Sequence, residues 1–178
     1  MPPSSSSQLN NRSIKYYYNY IVLWIGICIS CYALYIELRV ESDPGYIAHC
    51  DINKIISCTK ALSSKYAYGF GIIGPLFGED SPFNLSNAFY DVIGYFCLSI
   101  LYFFENCAPK KLALKISTFS LFVGVGLNIM SMYLFIVLFN LRTICLVCYS
   151  TYAVNASYLH LAVGRHRLRH DDLKKKRK

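Results

Sequence analysis

The stretch YIVLWIGICISCYALYIEL, from Tyr20 to Leu38, is an apolar run whose only charged side chain, Glu37, lies near its end. A helix needs about 20 residues to cross the hydrocarbon core of a bilayer, which is about 30 Å thick, so this run has the length of a membrane span. The chain as a whole is also apolar, with 54% hydrophobic residues among 178. Long apolar runs at this density exclude an ordinary soluble domain.

Two further apolar regions follow. Residues 88–104 form a second run with Asp91 as its one charge, and the region from Leu112 to Leu161 is apolar almost throughout. The longer region exceeds a single crossing, and its only central polar break is Asn140-Leu-Arg142, where we divide it into two spans. The sequence therefore predicts an all-α membrane protein. The predicted architecture is a four-transmembrane-helix bundle with a cap loop, about residues 39–86, between the first two spans.

The first run is interpreted as a retained helix rather than a cleaved signal peptide, because it is long and lacks a clear small-x-small cleavage site. Three segments are expected on this basis. Residues 1–17 are predicted to be a disordered cytosolic tail, since the opening is rich in serine. Residues 18–163 are predicted to form the transmembrane domain, and residues 164–178 a basic cytosolic tail.

The formal net charge of +8 is distributed unevenly along the chain. Basic residues gather in the N-terminal tail, in residues 110–115 and in the C-terminal tail, which lie on one side of a four-span bundle. In the loop between the first two spans, acidic side chains slightly outnumber basic ones. The positive-inside rule then places both termini in the cytosol and the loop on the opposite side. The basic excess is thus explained by topology, and the expected partner is a lipid bilayer rather than a nucleic acid.

The C-terminus carries Lys175 and Lys176 at the fourth and third positions from the end. This placement is typical of a dilysine signal for retrieval to the endoplasmic reticulum. The alternative is that the basic run holds the helix end at the anionic cytosolic leaflet. We favour retrieval, which predicts a multi-pass protein of the endoplasmic reticulum membrane with a lumenal loop.

Two cysteine pairs indicate the chemistry. Cys145-Leu-Val-Cys148 opens the last predicted span, where the helix N-terminus favours a reactive thiolate. We expect Cys145 to lie near water and Cys148 one turn deeper, facing the bundle. Cys50 and Cys58 lie in the polar loop on the same predicted side, from which they could pass electrons to the first pair by thiol–disulfide exchange. Since disulfides persist and cycle in such a compartment, the pattern indicates a membrane-embedded thiol oxidoreductase.

Other interpretations of the cysteines remain. Cys50 and Cys58 could form a static disulfide in a membrane scaffold that is not an enzyme. A zinc site is disfavoured because structural zinc modules usually pair two tight Cys or Cys/His knuckles in a polar domain, so no metal is expected. Cys28, Cys31 and Cys97 fall inside apolar runs, and we interpret them as packing residues.

Two polar residues are candidates for contacting a substrate. Tyr152 follows Cys148 by four residues, which places both on one helix face. Together they could flank an apolar molecule that has one polar atom, or Tyr152 could simply pack in the bundle. Asn87 opens the second span. It is interpreted either as a helix N-cap or as an amide that donates to a carbonyl inside the bundle.

Several short motifs, each weak alone, stand in a fixed order along the chain. They are Tyr32-Ala-Leu34, His49-Cys50-Asp51, Ser57-Cys58, Ser63-Ser64, Gly69-Phe70-Gly71, Gly78-Glu79-Asp80-Ser81, Asn84-Leu85-Ser86-Asn87, Cys145-Leu-Val-Cys148, Thr151-Tyr152-Ala153 and Asn155. In this order and spacing the set is highly specific. On these residues, the chain resembles the vitamin K epoxide reductase family over nearly its whole length after the N-terminal tail.

This resemblance implies a four-helix bundle whose lumenal loop caps a quinone pocket. It implies that Cys148 is the nucleophile and that Cys145 resolves the adduct by closing a Cys145–Cys148 disulfide. It further implies that Cys58 attacks this disulfide, while Cys50 exchanges with a thioredoxin-like lumenal protein that donates electrons. The Cys50–Cys58 pair would then be the second redox disulfide.

By the same resemblance, Asn87 and Tyr152 hydrogen-bond the carbonyl oxygens of the substrate and stabilise negative charge there. The implied activity is the reduction of vitamin K 2,3-epoxide to the quinone and of the quinone to the hydroquinone, with a dithiol donor and no tightly bound cofactor. Coumarin-type compounds are the implied inhibitors. Leu62 and Tyr66 depart from the vertebrate pattern and so bear on substrate preference and inhibitor sensitivity. The alternative function is a quinone-coupled thiol oxidase that supports disulfide formation in lumenal proteins.

Overall fold

The computed structural model describes the backbone of residues 5–43 and 45–175, and the side chains from residue 17 onward within these ranges. The described residues contain no β-strand, only two isolated bridges, so the all-α prediction is confirmed. Two 3₁₀ turns, Lys65–Ala67 and Gly69–Gly71, lie in the loop after the first helix. The α-helices are α1 (Ser5–Ser42), α2 (Cys58–Leu62), α3 (Ile73–Phe77), α4 (Asn87–Cys107), α5 (Lys110–Asn140) and α6 (Leu146–Lys175).

Three helical segments are long and apolar enough to cross a membrane, namely Tyr17–Ser42, Asn87–Cys107 and Lys110–Asn140. Large apolar side chains such as Phe122 and Phe139 point away from the bundle and are exposed, as expected of a surface that faces lipid. The chain is therefore a membrane protein. The helix α6 is not among these segments, because polar side chains such as Asn155 and His160 interrupt its N-terminal half and charged side chains fill its C-terminal half. The fourth span stays a prediction.

The long apolar region turns where its polar break lies. The helix α5 ends at Asn140, and Arg142 adopts a left-handed backbone conformation with φ of 50°. The next helix begins at Leu146. The predicted division of this region at Asn140–Arg142 is thus confirmed.

Helical backbone extends into both expected tails, as far as the structure describes them. The helix α1 reaches back to Ser5, into the segment expected to be disordered, since the chain has neither glycine nor proline from there until Gly26. The helix α6 continues to Lys175, and its Arg165 lies 3.3 Å from the buried carboxylate of Glu105 on α4. The domain boundaries at 17 and 163 stay predictions, although no helix ends at either. The dilysine signal stays a prediction as well, since Lys176 lies outside the described residues.

A polar network joins three helices in the middle of the bundle. The Tyr95 hydroxyl on α4 donates to Asn155 Oδ1 on α6 at 2.7 Å, and Asn155 Nδ2 donates to Ser131 Oγ on α5 at 2.9 Å. Asn128 Nδ2 donates to the Asn155 carbonyl at 2.9 Å. Such interhelical hydrogen bonds stabilise the association of helices where water is absent. Asn155, the last residue of the family-like motifs, is therefore central to packing.

The four remaining described cysteines lie on the outside of the bundle. Cys28, Cys31, Cys97 and Cys107 are all exposed and unbonded. Cys28, Cys31 and Cys97, interpreted as packing residues, therefore do not pack inside the bundle. An apolar run does not show which of its faces points inward, and these thiols occupy the outward faces of α1 and α4.

Candidate active site

The loop that carries the first cysteine pair is held by short polar contacts. Asp51 Oδ1 accepts a hydrogen bond from the Thr59 amide at 3.0 Å, and Thr59 Oγ1 accepts one from the Ala48 amide at 3.0 Å. These contacts bring together Cys50 and Cys58, which form a disulfide with a Cα–Cα distance of 5.8 Å. Cys58 is fully buried at the start of α2, whereas Cys50 is partly exposed.

A short parallel bridge ties this loop to the turn before α6. The Ile144 amide donates to the Ile55 carbonyl at 2.7 Å, and the Ser57 amide donates to the Ile144 carbonyl at 3.0 Å. Ser57 and Ile144 each precede a cysteine, so the bridge brings Cys58 and Cys145 together. Both cysteines are 0% exposed and belong to one buried cluster. The two cysteine pairs are therefore neighbours, although they are far apart in sequence.

The second pair lies at the N-terminus of α6. Cys145 and Cys148 form a disulfide with a Cα–Cα distance of 5.3 Å. Cys145 Sγ also accepts a hydrogen bond from the Cys148 amide at 3.2 Å. A side chain that caps the N-terminus of a helix accepts the same kind of hydrogen bond. When this pair is reduced, the amide and the helix dipole favour a thiolate at Cys145. The expectation that Cys145 lies near water is wrong, because the bridge from the loop covers it.

A cavity of about 70 Å³ lies beneath the cap, between the cap and the long helices. Cys148, Asn87 and Tyr152 all line it, so the structure brings these three sequence-predicted site residues together. Cys50, Cys58 and Cys145 are not among its lining residues. The rest of its wall is mostly apolar, formed by side chains that include Ala33, Leu62, Ala88, Leu134, Val137 and Val147. A mostly apolar wall with few polar groups suits an apolar ligand that carries one or two polar atoms.

Asn87 joins the cap to the bundle. Its Oδ1 accepts a hydrogen bond from the Phe70 amide at 2.7 Å, and its Nδ2 donates to the Tyr66 carbonyl at 2.7 Å. The N-cap of α4 is Ser86 rather than Asn87, since the Ser86 hydroxyl accepts a hydrogen bond from the Phe89 amide at 3.4 Å. One N–H of the Asn87 amide remains for a ligand, because the amide nitrogen carries two.

The turn that Asn87 holds has an unusual backbone. Gly69, Phe70 and Gly71 have φ values of 51°, 58° and 69°, a region that glycine tolerates and most residues avoid. A Cβ atom on Gly71 would also collide with the ring of Tyr66. The need for glycine at these two positions gives a physical reason for the Gly69-Phe70-Gly71 motif. The close approach of Gly71 leaves the Tyr66 ring in the cavity wall.

We expect Asn87→Ala to loosen the cap, since it leaves the Phe70 amide and the Tyr66 carbonyl without their partner. The free energy of unfolding should fall by about 1–3 kcal/mol, the cost of a partly buried polar group left unsatisfied. Thermal unfolding of the purified protein in detergent measures this loss. Asn87→Asp is the graded control, because it keeps the acceptor for the Phe70 amide and replaces the donor to Tyr66 with a second carboxyl oxygen. An Asn87→Ala variant as stable as the parent would contradict this role.

Tyr152 lies on the same cavity wall as Cys148. Its ring packs against Tyr149 at a centroid distance of 5.9 Å, and Tyr149 in turn packs against Phe135 at 5.5 Å. Its hydroxyl forms no hydrogen bond within the part of the chain that the structure describes. An apolar ring fixed by aromatic neighbours, with its hydroxyl still unpaired, is suited to donating a hydrogen bond to a ligand.

One set of side chains has the composition of a metal site. The potential ligand atoms of Cys50, Asp51 and Cys58 lie within 4.8 Å of one another. Zinc binds cysteine as a thiolate, whereas both sulfurs here are joined in a disulfide. A metal and the oxidised pair are thus mutually exclusive at this position.

Two acidic residues also line the cavity, and the sequence alone assigned them no role. Glu37 on α1 and Asp91 on α4 face it, and Glu37 is 3% exposed and accepts a hydrogen bond from the Ser86 hydroxyl. The available signal was that each is the one acidic residue within its apolar run. Ionisable residues inside membrane segments are costly and often functional.

Comparison with known proteins agrees with this arrangement. The sequence profile of the Vitamin K epoxide reductase family matches residues 19–163. The chain is 33% identical over 138 residues to Vitamin K epoxide reductase complex subunit 1 of Mus musculus, which covers 77% of this chain and 81% of the mouse protein. The rat protein of the same name, from Rattus norvegicus, matches with the same identity and coverage. The resemblance seen in the motifs is confirmed: the chain belongs to the vitamin K epoxide reductase family, which implies a thiol-dependent oxidoreductase.

Proposed function

We propose that this protein reduces vitamin K 2,3-epoxide to the quinone, and the quinone to the hydroquinone, with electrons from thiols. The observation that carries the proposal is the position of Cys148. It lines an apolar cavity, and its partner Cys145 shares a buried cluster with Cys58. The names of the mouse and rat relatives support vitamin K epoxide as the substrate.

The chemistry begins with both cysteines of the second pair reduced. Cys148 loses its proton and its thiolate attacks the substrate ring. A carbon–sulfur bond forms while a carbon–oxygen bond of the epoxide, or a π bond of the quinone, breaks and its electrons pass to oxygen. Cys145 then attacks the Cys148 sulfur, so that the carbon–sulfur bond breaks and the disulfide closes. Each turnover takes two electrons and two protons from the thiols. With the epoxide, they convert the epoxide oxygen to water and leave the quinone; with the quinone, they produce the hydroquinone.

Asn87 and Tyr152 would bind the carbonyl oxygens of the ring. The Asn87 amide has an N–H to spare, and the Tyr152 hydroxyl has no partner among the described residues. Both side chains line the cavity that Cys148 enters. As electrons enter the ring, negative charge develops on its oxygens, and fixed donors in a site without water stabilise it strongly.

The first pair would return the second to its reduced form. Cys58 is favoured as the thiol that attacks the Cys145–Cys148 disulfide, because Cys58 and Cys145 are both fully buried. Cys50 is partly exposed and is the cysteine that a thioredoxin-like lumenal protein would reach. The electrons then pass from this donor to Cys50, Cys58, Cys145 and finally Cys148.

We place the protein in the endoplasmic reticulum membrane, with both termini in the cytosol, α6 as the fourth span and the cap in the lumen. The distribution of basic residues supports this orientation. Coumarin-type inhibitors would compete for the same cavity. Since Leu62 and Tyr66 line it and differ from the vertebrate pattern, the inhibitor affinity should differ from that of the vertebrate enzymes.

Microsomes that contain this protein test the substrate directly. With a small dithiol and vitamin K epoxide, chromatography should show conversion to the quinone that microsomes without the protein do not give. The Cys28→Ala variant should convert the epoxide as fast as the parent, because Cys28 is an exposed, unbonded cysteine on α1. A correctly inserted protein that converts neither epoxide nor quinone, yet accumulates oxidised lumenal proteins, would contradict the proposal and favour the quinone-coupled thiol oxidase.

A further inference from the structure

The cavity that holds Cys148 also holds a pair of carboxyl groups. Glu37 comes from α1 and Asp91 from α4, so two different helices each bring one acid to the same small space. The residues that line this cavity include no lysine, arginine or histidine. The wall therefore offers no basic side chain to balance two carboxylates.

Glu37 is the more enclosed of the two. One of its oxygens accepts the hydrogen bond from the Ser86 hydroxyl, whereas Oε1 is buried without a partner among the described residues. Asp91 is half-buried and forms no hydrogen bond or ion pair within the described part of the chain. It is close enough to both Glu37 and Tyr152 to interact with them electrostatically.

A purely structural role explains only part of this arrangement. The contact with Ser86 links α1 to the N-terminus of α4, but glutamine would accept the same hydrogen bond. It leaves unexplained why Glu37 Oε1 lacks a partner and why Asp91 faces the same cavity. A buried carboxyl without a compensating cation is costly when ionised and takes up a proton instead. Glu37 meets this description and Asp91 adds a second carboxyl, so the wall that Cys148 also lines can store protons.

We propose that Glu37 and Asp91 are catalytic residues that carry protons between the cysteine thiols and the oxygens of the quinone. This inference rests on the proposed function, because it requires a quinone in the cavity. It assigns a task that Asn87 and Tyr152 do not cover, since those two side chains hold the oxygens in place. The cavity lies under the cap and among apolar helices, so acids in its own wall give the shortest path for a proton from thiol to quinone, because the surrounding lipid supplies none.

The proton balance closes within the site. Cys145 and Cys148 lose two electrons and two protons as their disulfide forms, and the quinone gains two of each as it becomes the hydroquinone. As Cys148 attacks, one carboxyl takes the thiol proton on one oxygen and gives a proton from its other oxygen to the ring; the second carboxyl does the same when Cys145 closes the disulfide. Both carboxyls therefore end the turnover in the state in which they began, and no further reactant is needed.

The test compares Glu37→Gln/Asp91→Asn with the parent protein in detergent, with 2-methyl-1,4-naphthoquinone and dithiothreitol as substrates. Both replacements keep the size and polarity of the side chain and remove only the exchangeable acid proton. We expect kcat for hydroquinone formation to fall by about 10²-fold, the usual contribution of a positioned proton donor. Quinone binding, followed by the quenching of protein fluorescence, should be unchanged. The solvent deuterium isotope effect on kcat should rise, since proton transfer becomes the slow step.

Glu41→Gln is the matched control, because Glu41 lies on α1 one turn beyond Glu37 and is exposed. A double variant with kcat within about threefold of the parent would overturn the inference, and so would a loss of kcat matched by an equal loss of binding or shared by Glu41→Gln. If the double variant does not fold, Asp91→Asn alone should lose about tenfold in kcat. A parent protein that reduces no quinone would overturn the proposed function and the inference together. An active parent with an unaffected double variant would overturn the inference alone.

Discussion

Replacing Cys148 by alanine is expected to abolish the reduction of vitamin K epoxide, with kcat falling by at least about 10³-fold. Among the four disulfide-bonded cysteines, Cys148 is the one that lines the cavity, so no other bonded thiol is placed to take over the attack. The loss should be the same with a small dithiol and with a protein donor, because the missing step is the attack on the substrate itself. Chromatographic measurement of quinone formed by microsomes gives the rate.

Two comparisons make this expectation specific. Cys97→Ala removes an exposed, unbonded thiol from α4 and should keep nearly full activity. Quinone binding to Cys148→Ala should also persist, because Asn87, Tyr152 and the apolar wall remain. If Cys148→Ala retained full activity, the proposed mechanism would be refuted.

The Cys50→Ala/Cys58→Ala variant should separate the two electron donors. We expect a reduced thioredoxin-like protein to support less than about a hundredth of the parent rate, because the relay to the buried Cys145 is gone. A small dithiol should still support turnover, since it can enter the cavity and reduce the second disulfide from the side of Cys148. Rates with both donors, measured on the same microsomes, test this difference, and activity with the small dithiol shows that the protein is folded.

A single replacement tests the contact between the two pairs. In Cys50→Ala, the free Cys58 should attack the Cys145–Cys148 disulfide and remain joined to Cys145, because Cys50 is absent and cannot release it. Peptide mass analysis without reductant should then find a Cys58–Cys145 disulfide. Equal loss of activity with both donors in the double variant, or no such crosslink in the single variant, would indicate that the Cys50–Cys58 disulfide is structural.

Much of this arrangement can be predicted from the sequence because it depends on local patterns. Apolar runs of bilayer length predict three of the long helices, and the polar break at Asn140–Arg142 predicts the turn between α5 and α6. The spacing of Cys148 and Tyr152 is that of one helix face, and both line the cavity. The order of the short motifs is sufficient to predict the family.

The remaining features depend on contacts between distant segments. Cys145 is buried because residues 55–57 pair with Ile144, and no local pattern predicts that bridge. Asn87 links the bundle to the cap through its contacts with Phe70 and Tyr66, which precede it by 17 and 21 residues. A contact at that separation cannot be predicted from a local pattern. Glu37 and Asp91 look like isolated charges until α1 and α4 pack and place them in one cavity.

The central claim is that a quinone in the cavity is attacked by Cys148. Its most direct test is the mass of reduced Cys145→Ala protein after reaction with vitamin K quinone and quenching in acid, followed by peptide mapping. Without Cys145 to resolve it, the adduct should accumulate, and the added mass of the quinone should lie on the peptide that contains Cys148. Absence of an adduct, or an adduct on Cys50 or Cys58 instead, would contradict the claim, provided that the parent protein turns over the same quinone.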